Sequence, residues 1–86
     1  MTYPSVQAVE PLEDHKLLLT FDNGETRTFD VHPYLDRGVF RDLRDPAVFR
    51  SVRVAFDTIE WLNGADLCPE TLYRNSMTHP PLWPVA

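Results

Sequence analysis

The residues in this chain whose types and spacing invite chemistry are Asp66, Cys68 and Glu70, within the run GADLCPETLY, and the three histidines His15, His32 and His79. Two carboxylates can work as an acid–base pair when they flank a cleft from opposed faces. A cysteine at a helix start has its thiol pKa lowered, and a histidine brought beside it would complete a Cys–His nucleophile. Each feature also has a plainer role. A helix beginning at Pro69 makes Cys68 its N-cap residue, with Asp66 just ahead of it. Glu70 then falls in the first turn, where a carboxylate favours the positive end of the helix dipole. No two histidines have the His-x-x-x-His spacing and there is no Cys-x-x-Cys, so zinc-ligand spacing is missing. Gly24, Gly38 and Gly64 are isolated turn residues, not a phosphate loop. The expectation is a non-enzymatic protein with no catalytic, metal-binding or cofactor-binding residues. An enzyme using Asp66, Cys68 and a histidine is the alternative.

The element that must position these residues is the stretch 58–73, TIEWLNGADLCPETLY. It reads as a short strand over 59–62, a tight corner at Asn63-Gly64, and a helix from Pro69 to about Ser76. Trp61, Leu67, Leu72 and Tyr73 make it apolar enough to anchor a core. Upstream, Val6, Ala8 and Leu12 suggest a first strand bent or ended by Pro11, followed by a polar turn at 13–15. Residues 16–21 (KLLLTF) and 26–31 (TRTFDV) form a hairpin around Asn23-Gly24. A two-residue turn there puts Phe29 on the face opposite Leu17, Leu19 and Phe21. A three-residue loop with Gly24 as a bulge pairs Leu17 with Phe29 and gathers all four on one side. A one-residue slip exchanges the faces, and the second register gives the cleaner core.

Pro33 forbids further central pairing, and 36–38 is a turn. Residues 39–43 form a short helical turn or strand with Val39, Phe40 and Leu43 inward. Asp45-Pro46 starts a brief helix with Asp45 as its cap. Val52, Val54 and Phe56 alternate with Arg53 and Ala55 as a half-buried strand; a turn at Asp57-Thr58 leads to its antiparallel partner. The whole is an α+β domain over residues 1–76, with a small antiparallel sheet of four or five strands and one or two short helices packed on one face. Residues 77–86 (MTHPPLWPVA) are a Pro-rich tail. An exposed Trp83 between prolines would suit a docking arm, since prolines lower the cost of ordering an extended segment.

Eighty-six residues with 43% hydrophobic and 24% charged side chains form one ordinary globular domain, and the net charge of −5 argues against direct nucleic-acid binding. The charge is uneven. Residues 37–53 carry five arginines against two aspartates, while 1–36 carry seven acids against two bases. Such a basic segment is either a docking face for an acidic partner or a solvated surface paired with its neighbours. One cysteine excludes an internal disulfide and suits a reducing compartment. There is neither a signal-peptide pattern at the N-terminus nor an apolar run long enough for a membrane span. A cytoplasmic location is expected.

The pattern Leu18-Leu19-Thr20-Phe21…Asn23-Gly24-Glu25…Phe29-Asp30-Val31…Pro33…Leu35, then Gly38-Val39-Phe40…Leu43-Arg44-Asp45…Phe49, then Trp61…Asn63-Gly64-Ala65-Asp66-Leu67-Cys68-Pro69-Glu70…Leu72-Tyr73 resembles the small bacterial family called domain of unknown function 2442. The resemblance covers about residues 6–73. It implies a small α+β fold of the type in the N-terminal domain of a nitrosomonad protein, with strand, corner and helix as its signature. Relatives often stand beside a gene for another small protein, as in a toxin–antitoxin pair, and some continue into a helix-turn-helix domain. The family offers no catalytic residues to carry over.

The function expected is therefore a protein-binding module, the antitoxin-like or accessory member of a two-protein system. Its partner would be another small protein, encoded by an adjacent gene; a homodimer is a second option, and a DNA-associated subunit acting through a partner a third. The contact residues expected are Trp61, Asn63, Asp66, Glu70, Tyr73 and Trp83.

Overall fold

A computed structural model describes residues 3–78 of the chain. Its first sheet is built from β1 (Val6–Leu12), β2 (Lys16–Phe21) and β3 (Thr26–Asp30), all antiparallel and in that order. β2 alternates cleanly because Leu17, Leu19 and Phe21 point to the core and are fully buried. Leu17 pairs with Phe29, which puts the phenyl ring on the same face as those three side chains. The loop is the three-residue form: Phe21 N–H donates to Glu25 O at 2.8 Å and Gly24 N–H to Phe21 O at 3.0 Å. Gly24 sits at φ 92°, a left-handed backbone that this bulge requires and that glycine adopts without strain. β1 runs through Pro11, which pairs with Leu17. As an edge strand it tolerates a residue without an N–H.

The second sheet joins β4 (Arg53–Ala55), β5 (Thr58–Glu60) and β6 (Asp66–Leu67). Here the sequence expectation of a single sheet of four or five strands is corrected: there are two small antiparallel sheets. The reason lies in residues 32–49. After β3 the chain enters a 3₁₀ turn at His32–Tyr34, a 3₁₀ segment at Gly38–Arg44 and the one-turn helix α1 (Pro46–Phe49). Those elements carry the chain off the sheet before β4 begins. The outer edge of β3 is taken instead by the two-residue strand β7 (Met77–Thr78), which pairs Met77 with Thr28 and brings the start of the Pro-rich stretch into the sheet. His79 and Trp83 lie outside the described residues.

A second correction concerns residues 52–56. The alternation Val52, Val54, Phe56 does not run on as a half-buried strand. Ala55 pairs with Thr58, and Phe56 and Asp57 form the two-residue turn between β4 and β5. Both have positive φ, 52° and 69°, the mark of a type I′ hairpin turn. Phe56 is 94% exposed. The turn is fastened from outside, since Val6 N–H donates to Asp57 O at 3.0 Å.

The seven-residue helix α2 (Pro69–Asn75) buries Leu72 against the first sheet and sets Tyr73 edge-on to Phe21, centroids 5.2 Å apart. Its C-terminal end is tied to β3 by Arg27, whose Nη1 donates to Tyr73 O at 3.3 Å and Ser76 O at 3.4 Å. The core between the two sheets holds Trp61, Phe29, Leu43, Ile59 and Leu72, each at or below 1% exposure. Among the described residues no helix is long and apolar enough to cross a membrane.

Candidate functional site

The corner at Asn63-Gly64 is where local sequence chemistry and long-range packing meet. Asn63 Oδ1 accepts from Ala65 N–H at 3.1 Å, an Asx turn that shapes the bend. Its amide nitrogen reaches across the fold to Val39 O at 3.0 Å and Asp42 Oδ2 at 3.4 Å. Two residues before it, Trp61 is buried and donates from Nε1 to Phe49 O at 3.0 Å, satisfying a carbonyl at the end of α1. Ser51 completes the stitching: its hydroxyl donates to Val48 O at 2.5 Å and accepts from Leu62 N–H at 3.2 Å.

These bonds hold open a groove of about 340 Å³ lined by Ala47, Val48, Ser51, Leu62 and Asn63. Its walls are apolar apart from the Ser51 and Asn63 heads, which are already spent on the framework. Leu62 is 78% exposed at the groove and Val39, whose carbonyl holds Asn63, is 44% exposed. An apolar wall with occupied polar groups presents an apolar side chain with a place to go, and offers nothing for a reacting group. The segment that supplies one wall is the basic one. Arg44 is ion-paired with Asp36, and Arg53 with Glu60 at 3.0 Å. Arg37 lies 5.5 Å from the Tyr34 ring centroid. Arg41 and Arg50 are exposed and have no ion pair among the described residues.

The contact residues expected from sequence are distributed differently. Trp61 is a core residue and presents no surface. Asn63 faces the groove with its hydrogen bonds directed inward. Asp66 is exposed on β6, and Glu70 pairs with Arg74 at 3.1 Å one helical turn on. Tyr73 belongs to a separate cluster. Its hydroxyl donates to Glu25 Oε2 at 3.0 Å, and Arg27 both lies 4.1 Å from its ring centroid and donates to Glu25 Oε1 at 2.7 Å. The Arg27 hydrogen bond holds the Glu25 carboxyl below its ordinary value, against a smaller opposing effect of burial and with help from the Tyr73 hydroxyl.

The parts of the Cys–His alternative lie on different elements. Cys68 is the exposed N-cap residue of α2, makes no side-chain capping bond, and has Thr71 Oγ1 as its partner at 3.1 Å. That hydroxyl is the main reason its thiol titrates below the ordinary value. His15 and His32 instead pack edge to face on each other, centroids 5.5 Å apart, and His15 packs on Phe49 at 5.0 Å. His32 Nδ1 donates to Asp30 Oδ1 at 2.6 Å, and its Nε2 lies 3.4 Å from Asp14 Oδ1. Burial pushes the Asp30 carboxyl up, but hydrogen bonds from the backbone and ring of His32 prevail and hold it below its ordinary value. Among the described residues His15 Nε2 is buried without a hydrogen-bond partner, and the ring lines a cavity of about 110 Å³. Among the described residues no group of three or more His, Cys, Asp or Glu could hold a metal ion.

Sequence reasoning missed Leu62, Val48, Ala47 and Phe56 as surface features. An exposed leucine at Leu62, next to a Trp and ahead of Asn-Gly, reads as core by type alone. Comparison with protein families finds one model, described as protein of unknown function (DUF2442), matching residues 6–78. No curated protein and no solved structure matches the chain.

Proposed function

The chain belongs to the DUF2442 family of proteins of unknown function, and we propose from its surface that it is a non-enzymatic protein-binding module, the antitoxin-like or accessory member of a bacterial two-protein system. The observation that carries this reading is the groove beside the Asn63-Gly64 corner, apolar, walled by α1 and flanked by the exposed Leu62. An apolar recess held by a hydrogen-bonded frame costs little to reorganise on binding. The segment 37–53 that forms one wall carries five arginines against two aspartates. The occupant it fits is therefore a partner segment with an apolar anchor flanked by carboxylates.

Co-expression with the product of the adjacent gene, followed by co-purification, tests the reading. The complex forms with the wild-type chain and is lost with Leu62→Glu, a change at an exposed position that leaves the fold intact. Co-purification that is absent, or indifferent to Leu62→Glu, overturns it.

A further inference from the structure

An apolar anchor beside a carboxylate is also present on this molecule. Phe56 stands at the tip of the β4–β5 hairpin, 94% exposed, and the next residue is Asp57. Glu60 on β5 is paired with Arg53 at 3.0 Å, so Asp57 is the carboxylate that stands beside the ring. Two features make Phe56 more than a stray exposed side chain. It occupies a left-handed backbone position, φ 52°, that bulky residues avoid and that asparagine or glycine would fill without strain. The tip is also fastened to the first sheet, by Val6 N–H on Asp57 O at 3.0 Å. A rigid, preorganised aromatic side chain is the usual form of a binding anchor.

We propose that the groove beside Leu62 receives Phe56 of a second copy of this chain, in a head-to-tail contact. This inference rests on the reading of the groove as a protein-binding surface and names its occupant. Volume is sufficient: a cavity of roughly 150 Å³ accepts a benzene ring, and the groove measures about 340 Å³. Charge matches as well: the carboxylate beside the ring is Asp57, and the segment that walls the groove carries Arg41 and Arg50, exposed and without an ion pair among the described residues. Phe56 cannot fill its own groove, because it is solvent-exposed at the far end of the hairpin whose base adjoins Leu62. Docked head to tail, with the knob and the recess used on opposite neighbours, the contact generates a ring or an open chain and not a two-fold dimer. The contact is small, so the assembly is weak, reversible and dependent on concentration and salt.

Sedimentation velocity of the full chain over a range of concentrations tests the proposal, with Phe56→Asn removing the knob and Leu62→Glu spoiling the recess. The wild type associates beyond a dimer, less so at high salt, and each variant alone associates at least about tenfold more weakly. An equimolar mixture of the two variants restores one knob–recess contact and stops at a one-to-one complex. Ala47→Glu, at an exposed position in the first turn of α1, repeats the Leu62 result with a change that favours its helix. A wild type that stays monomeric, a Phe56→Asn chain that associates like wild type, or a mixture that remains monomeric overturns the proposal. Co-purification of the adjacent gene product separates this from the reading beneath it. If that complex still depends on Leu62 while the chain alone is monomeric, the groove stands and the second copy is wrong. If both that complex and the self-association are indifferent to Leu62, the groove itself is wrong.

Discussion

The amide nitrogen of Asn63 donates to the Val39 carbonyl across 3.0 Å, joining residues 24 apart in sequence. Through this bond a local bend becomes a fixed wall of the groove. Asn63→Ala removes it, the contact to Asp42 and the Asx turn to Ala65 N–H together. The expected cost is about 1–3 kcal/mol, read as a lower midpoint in urea unfolding with an unchanged slope. A variant as stable as wild type would show that the corner is held by backbone alone.

Trp61→Phe keeps most of the buried area but leaves Phe49 O, at the end of α1, without its side-chain donor. A loss of about 2 kcal/mol follows from an orphaned carbonyl combined with a void where the second ring was. Chemical denaturation followed by far-UV circular dichroism measures it, since Trp83 complicates a fluorescence readout.

Phe56→Asn goes the other way. The wild-type side chain is almost fully solvated, so its removal forfeits little burial, and asparagine suits a left-handed turn position. Stability rises by up to about 1 kcal/mol, seen as a higher thermal midpoint at a concentration too low for association. A stabilised chain that has lost self-association is the combination expected of a residue retained for contact.

Acid should weaken the fold through Glu25 and Asp30. Both carboxyls are held below their ordinary values of 4.5 and 3.8 in the folded chain. The unfolded chain therefore binds protons first on acidification. The stability these groups contribute is complete above the ordinary values and is lost as pH falls through the lower folded ones. Glu25→Gln flattens that part of the stability–pH curve, and unfolding midpoints from pH 6 down to pH 3 measure the change. A variant with the wild-type slope would exclude Glu25 as a source.

Cys68 offers a direct titration. The Thr71 hydroxyl, first among several hydrogen bonds, draws its thiol below the ordinary value of 9.0. The pH midpoint for alkylation by iodoacetamide lies below that value in the wild type and moves up in Thr71→Val. Identical midpoints would place the cause elsewhere in the helix start.

How much of this was legible in the residue order depends on the range of the interactions. The β2–β3 register follows from two local facts: Asn23-Gly24 fits a bulged turn, and Leu17, Leu19, Phe21 and Phe29 share a face only in that register. Asp45 as a cap is equally local, its Oδ1 accepting from Ala47 N–H at 2.9 Å. So are the Asn63-Gly64 corner and the start of α2 at Pro69. The candidate site was legible only as that corner. Asn63 was named from sequence, whereas Trp61 proved to be its buried support and Leu62 its exposed lip.

The sequence by itself thus determined the hairpin, the Asp45 cap, the corner and the family, because turn chemistry and side-chain alternation act within a few residues. Tertiary structure alone decided that the strands divide into two sheets, that β7 takes the edge of β3, and that Phe56 leaves the core for the tip of a type I′ turn. It also decided that α1 and Leu62 meet to form a groove. Each of those outcomes rests on contacts between distant segments, such as Asn63 with Val39, Trp61 with Phe49 and Val6 with Asp57. Which apolar residue is buried is settled by competition for a finite interior, and Trp61 and Ile59 fill the space that Leu62 and Phe56 are left to face from outside.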